Sequence, residues 1–180
     1  MSDIISTTTE YRDRTRVEIE NLLPWAVGFQ TYTLADKKGI VVEGGHFKIE
    51  DGSYKRSFYR QLTLEEIIEQ ISSENIAFIG TDGKGTHACF RICDFELYKA
   101  AFDLPDATEF PIQLTQEAVE NLLKINDQKK FKKELEELVV TPSEKRAFAH
   151  FLVNNKRVNE LPLSILKYIE NYTSMKIVNE

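Results

Sequence analysis

Two cysteines, three histidines, five prolines and one tryptophan are few for a chain of 180 residues, and each scarcity excludes something. Cys89 and Cys93 stand four apart in an apolar segment. On a strand they share a face but lie too far apart along the chain to bridge easily, so a disulfide framework is excluded and reduced core thiols are expected. A thiol in apolar surroundings stays protonated and is a poor nucleophile. His46, His87 and His150 show no HxH or HxxxH spacing. Asp82, His87 and Cys89 form the one partial metal-ligand grouping, which His46 joins only through folding, and scattered histidines are more often surface or satisfied core groups than ligands. Neither a metal nor a cofactor is therefore expected. No Gly-x-Ser-x-Gly elbow occurs, and no apolar run approaches the length of a membrane span. The opening residues, Met1 to Arg16, lack the apolar core of a secretory leader, so a cytoplasmic protein without a membrane partner is expected.

An excess of positive charge is also missing. The formal net charge is −6, which argues against non-specific binding to a polyanion and makes nucleic acid an unlikely partner. Residues 1–110 carry 12 basic against 19 acidic side chains, whereas residues 111–180 carry 11 against 10. An anionic partner would thus meet the second half first. What the chain does have is core-forming material: 42% hydrophobic residues, with eleven phenylalanines and seven tyrosines.

The pattern of that material predicts an α+β protein. Its sheet is mainly antiparallel and lies, with short helices, in the N-terminal half, followed by a helical C-terminal half. Three stretches are expected: an arm over residues 1–15, a mixed β-rich domain over 16–112 and a helical subdomain over 113–180. Val17 and Ile19 alternate with charged neighbours as on a strand, and Val27, Phe29 and Thr31 repeat the pattern. Ile40-Val41-Val42 and Tyr54–Arg60 are further extended segments. Thr63-Leu64-Glu65-Glu66 is a capping box opening a helix with Leu64, Ile67, Ile68 and Ile71 inward. Ile76–Ile79 reads as a buried strand, joined by the Gly80–Thr86 connection to a second strand over His87–Cys93. Asp94, Thr115 and Asp127 are N-caps. Thr141-Pro142-Ser143-Glu144 combines a cap, a proline at the first helical position and a reciprocal glutamate. A last helix begins near Leu163.

Three surface elements compete as functional candidates. The Gly80–Thr86 loop is glycine-rich and follows an apolar segment, but Lys84 precedes Gly85 where a phosphate loop requires Ser or Thr and then a helix. A hairpin connection is favoured. Lys129, Lys130, Lys132 and Lys133 form the one basic cluster, neutralised along the same helix by Glu134, Glu136 and Glu137. The arm carries Tyr11, Arg12, Arg14 and Arg16, a basic element in an acidic molecule, and these are the candidate protein-interaction residues.

Val17-Glu18-Ile19-Glu20-Asn21, Leu62-Thr63-Leu64-Glu65-Glu66 and Phe90-Arg91-Ile92-Cys93-Asp94, followed by helices and a Leu161-Pro162 step, resemble in their order small ancillary proteins of tailed bacteriophages and prophages of low-GC bacteria. The resemblance covers the layout of about residues 16–172 and implies no catalytic residues. It implies a non-enzymatic structural or protein-interaction role, as a head- or capsid-associated virion component, in the bacterial cytoplasm or the virion, with a protein partner or a second copy. A soluble regulator or inhibitor of a host protein is the alternative expectation. A small enzyme with a site around residues 80–87 is the third.

Overall fold

The computed structural model describes residues 15–32, 38–44, 49–50, 53–54, 58–154 and 157–177. The fold is α+β, with antiparallel sheets in the first half and helices dominating the second. Strand β1 (Arg16–Asn21) is the centre of a three-stranded sheet, flanked by β6 (Tyr59–Thr63) and β7 (Phe90–Ile92), both antiparallel to it. β2 (Val27–Thr31) and β3 (Lys38–Val42) form a separate two-stranded hairpin, and β4 (Ile49–Glu50) pairs with β5 (Ser53–Tyr54). Helices α1 (Leu64–Ser72), α2 (Ile76–Ile79) and α3 (Phe95–Phe102) belong to this half. Helices α4 (Gln116–Leu123), α5 (Gln128–Leu138), α6 (Pro142–Asn154) and α7 (Leu163–Thr173) follow, with a 3₁₀ turn at Arg157–Glu160 before the last.

Local chemistry explains where the helices begin. Thr63, Asp94, Thr115 and Asp127 each accept a backbone amide from the first turn of the helix that follows. Thr141 takes the amide of Glu144 while Glu144 takes the amide of Thr141, the reciprocal bond that the sequence predicts for α6. Each cap is worth about 1 kcal/mol. Three expectations fail in this region. Ile76–Ile79 is one helical turn rather than a buried strand, with Ile76 71% exposed, because Asn75 caps Ala77 and Gly80 closes the turn at φ +63°. The extended run expected over His87–Cys93 shortens to Phe90–Ile92, since His87 takes a left-handed conformation at φ +58° that no strand accommodates. Ile68, expected inward, lies on the outer side of α1.

Apolar residues gather in two clusters. One packs Val17, Ile19, Phe29, Ile40 and Leu62 of the sheets against Ile67, Phe78 and Leu97 of the short helices, with Phe29, Phe78 and Phe90 in mutual edge-on or tilted contact. The other joins Leu122, Phe131, Phe148, Phe151 and Ile169 of the later helices, and it also takes in Leu23 and Cys89 from the first half. Val27 packs against both. Truncating a buried phenylalanine in either cluster removes about 3–5 kcal/mol.

The hairpin is fastened by polar side chains. Asn21, fully buried at the end of β1, donates from Nδ2 to the carbonyls of Trp25 (2.9 Å), Val42 (3.1 Å) and Glu43 (3.2 Å), and its Oδ1 accepts the amide of Leu23 (3.0 Å). Gly44 runs so close to this turn that a Cβ there would sit 2.3 Å from the Trp25 nitrogen. On the other flank Gln70 Nε2 donates to the Gln30 carbonyl, and Glu69 accepts from the Tyr32 amide and the Thr31 hydroxyl. Replacing Asn21 with the similar-sized Leu leaves the Val42 carbonyl and the Leu23 amide, whose bonds to it are buried, without this partner. A buried polar group left unpaired costs about 1–3 kcal/mol, so Asn21→Leu should lower the unfolding free energy by roughly 3 kcal/mol. A urea midpoint unmoved by the substitution would show that the hairpin is held by its apolar face alone.

Candidate functional site

Of the arm residues, Tyr11, Arg12 and Arg14 lie outside the described residues, while Arg16 opens β1 and is exposed opposite Thr63. The glycine-rich loop is fully described and is not a hairpin connection, because a helix precedes it. Gly80 has no room for a side chain: a Cβ would lie 1.9 Å from the Thr86 carbonyl oxygen. The loop is closed by Thr81 N–H to the Thr86 carbonyl and Gly85 N–H to the Ile79 carbonyl, both 2.8 Å. Asp82 accepts the amides of Lys84 and Thr86 and the Thr86 hydroxyl. Burial opposes its charge, but those bonds hold its carboxyl below the usual range. Tyr98 and Gln113 donate to the carbonyls of Lys84 and Gly85 from outside. The loop's polar groups thus serve to shape it.

His87 ends the loop and carries it to the helical half. Its Nδ1 lies 2.9 Å from Glu144 Oε1, with both side chains almost wholly buried. Glu144 Oε2 accepts from the amides of Val140 and Thr141 and the Thr141 hydroxyl. A carboxylate receiving donors in this way can only accept, so His87 Nδ1 carries the proton. Asp82 and His87 are each committed to these separate partners, and among the described residues no group of acids, histidines and cysteines is placed to hold a metal.

Both thiols are free and half-buried. Burial, then the Glu144 charge, pushes Cys89 up to about 11. Burial, then Glu20 and Glu18, pushes Cys93 to about 12, with Arg91 opposing. Lys132 lies over the Tyr168 ring (4.5 Å) and Lys133 faces Glu137 (3.7 Å), so two of the four lysines of the basic cluster on α5 meet partners within the molecule.

Two further arrangements lie outside the motifs of the chain. The first is a cleft of about 400 Å³ between the three-stranded sheet and the start of α4. Its floor is a direct cross-strand row, Tyr59–Glu20–Arg91, set by the pairing of Glu20 with Tyr59 on one side and Arg91 on the other. Tyr59 donates to Glu20 Oε1 (3.3 Å), and burial followed by the Glu20 charge raises the phenol to about 12. Arg91 lies 4.6 Å over the Phe110 ring, holds one terminal nitrogen 3.9 Å from Glu20, and keeps a buried Nε that meets no acceptor among the described residues. The second is the outer face of the β2–β3 hairpin. Phe29, Thr31, Ile40 and Val42 turn inward, leaving Gly28, Gln30, Gly39 and Val41 outward. Val41 is 59% exposed and Tyr32, whose hydroxyl donates to Gln30, is 57% exposed. Only the strand register could have revealed the first arrangement, whereas the alternation of β2 and β3 already carried the second.

No protein-family model, no curated protein and no solved structure matches the chain. Among the described residues no helix is long and apolar enough to cross a membrane.

The raised thiols give a measurable consequence. A folded-state value above the ordinary 9.0 of a thiol favours the neutral form in the fold. That contribution to stability is complete below about pH 9 and is lost as pH rises through about 11 and 12. Urea midpoints should therefore fall from pH 8.5 to 11, and less steeply in the Cys89→Ala/Cys93→Ala protein. At pH 7.5 a thiol reagent should label the native protein far more slowly than the unfolded one. Equally rapid labelling of both states would contradict the burial of these groups.

Proposed function

We propose that the chain is a non-enzymatic protein-interaction protein whose docking surface is the outer face of the β2–β3 hairpin. The observation that carries this is the pairing of outward Val41 with outward Gly28, beside Gly39 and the exposed ring of Tyr32. Gly28 opposite Val41 and Gly39 two residues before it carry no side chain on this face, and Trp25, 37% exposed, stands at the hairpin end beside Gly44. Among the described residues β3 pairs with β2 alone, so its far edge has no strand partner. An edge of that kind offers main-chain hydrogen bonds to an added strand, and the adjoining face offers side-chain contact. The thiols held protonated, and the commitment of His87 to Glu144, support a role without covalent chemistry. The resemblance to ancillary phage proteins makes a virion-associated assembly the setting we propose.

Position-specific photo-cross-linking tests the surface directly. A photoreactive residue at position 41, in cells where the protein is made, should give one discrete adduct to a protein identifiable by mass spectrometry, or to a second copy. The same residue at Lys167, on exposed α7, should not give it, and Val41→Lys should abolish the association without shifting the melting temperature. Adducts equal at both positions, or none at position 41, would overturn the assignment.

A further inference from the structure

We infer that α5 and the groove beside it form a self-association face, separate from the hairpin, on which a second copy of the chain docks with its own α5 antiparallel to the first. The charges of α5 are set against its own dipole. Lys129, Lys130, Lys132 and Lys133 come first along the helix, and Glu134, Glu136 and Glu137 come last. A helix by itself favours the reverse order, acids at the start and cations at the end. Asp127 caps the first turn, but past that cap nothing in the helix's own charge order supports it.

Packing sorts these charges onto different sides of the helix. Phe131 and Leu135 are buried, while Lys132 and Glu136 turn toward Tyr168 of α7, the lysine over the ring and the carboxylate accepting the hydroxyl. Lys130, Lys133, Glu134 and Glu137 follow helical spacing along another side. Lys130, Lys133 and Glu137 are exposed and Glu134 is half-buried. Among the described residues the one ion pair of this stripe joins Lys133 to Glu137 at 3.7 Å, and an exposed pair of that kind adds little to the isolated fold.

Turned antiparallel about a twofold axis between positions 133 and 134, the stripe is complementary to itself. Lys130 meets the partner's Glu137, Lys133 meets the partner's Glu134, and the symmetry makes each contact twice. The lysine-rich start of each helix then lies along the glutamate-rich, dipole-negative end of the other. A parallel copy would instead set lysine against lysine. Two lysines balance two glutamates, so the stripe is neutral although the whole chain carries −6. Apolar surface adjoins it. A groove of about 410 Å³ between α4 and α5 is lined by Ile112, Leu122, Ile125 and Leu138 beside Lys130, Glu134 and Glu137, and Ile112 is 50% exposed. Groove and stripe form one face, with apolar area to bury and charged side chains to fix the register.

Sedimentation equilibrium of the full-length protein tests the face by charge reversal. The native chain should show a monomer–dimer equilibrium. Lys130→Glu and Glu137→Lys should each weaken dimerisation at least tenfold, because each brings like charges together at two symmetry-related contacts. Neither should destabilise the monomer, since both move charge in the direction the dipole favours and the second removes only an exposed pair. Mixed in equal amounts, the two variants should dimerise again, the acids of one at positions 130 and 137 facing the lysines of the other. A native chain monomeric at every concentration, a dimer indifferent to both reversals, or a mixture that stays monomeric would each overturn the inference. Val41→Lys should leave the dimer intact, so this face and the hairpin face stand or fall separately. Loss of the dimer in that variant would move the contact to the hairpin and overturn the assignment to α5.

Discussion

One carboxylate, that of Glu144, ties the loop of the first half to the helices of the second by a buried polar bond, beside cores that already meet at Val27. Through Oε2 it gathers the amides of Val140 and Thr141 and the Thr141 hydroxyl, which fixes the start of α6. Through Oε1 it accepts from His87, which ends the Gly80–Thr86 loop in a left-handed conformation. Withdrawing a buried charge from water costs several kcal/mol, and it is tolerable here because each carboxylate oxygen has donors. The left-handed backbone of His87, costly for a residue with a Cβ, is held in place by the same bond and by the His87 amide on the Ile112 carbonyl. Position and strain are settled together.

Around that joint, short polar bonds place the neighbouring elements. The segment after the loop enters β7, and β7 places Arg91 beside Glu20. The segment around Gln113 lies beneath the loop, donates to Gly85, and leads into α4, the other wall of the cleft. At the end of β1, Asn21 holds the connection between β1 and β2 to the end of β3. A hairpin held by side-chain bonds at both flanks needs little ordering when a partner arrives, which favours affinity.

Much of this architecture was legible because helix starts are written locally. Thr63, Asp94, Thr115, Asp127 and Thr141 each needed only the next few residues to declare their role, and each caps the expected helix. Ile76–Ile79 misled because four apolar residues suit a buried strand as well as one helical turn. The deciding signals were its flanks, Asn75 and Gly80, rather than its hydrophobicity. The site residues were harder for a different reason. Tyr59, Glu20 and Arg91 are far apart in the chain and become neighbours only once two antiparallel registers are fixed, which no local pattern encodes. Glu144 was readable as a capping glutamate, but its second partner, 57 residues away, was not.

The joint itself is tested most directly by a double-mutant cycle on His87→Ala and Glu144→Gln, with stability read by urea unfolding of all four proteins. Costs private to each site, the left-handed backbone at His87 and the weakened cap at Glu144, cancel in the cycle and leave the coupling. Side chains sharing a buried bond couple by about 0.5–3 kcal/mol, and for this pair the upper half of that range is expected, about 1.5 kcal/mol or more. Additivity within about 0.3 kcal/mol, the behaviour of independent sites, would contradict the view that this bond ties the loop to the helices.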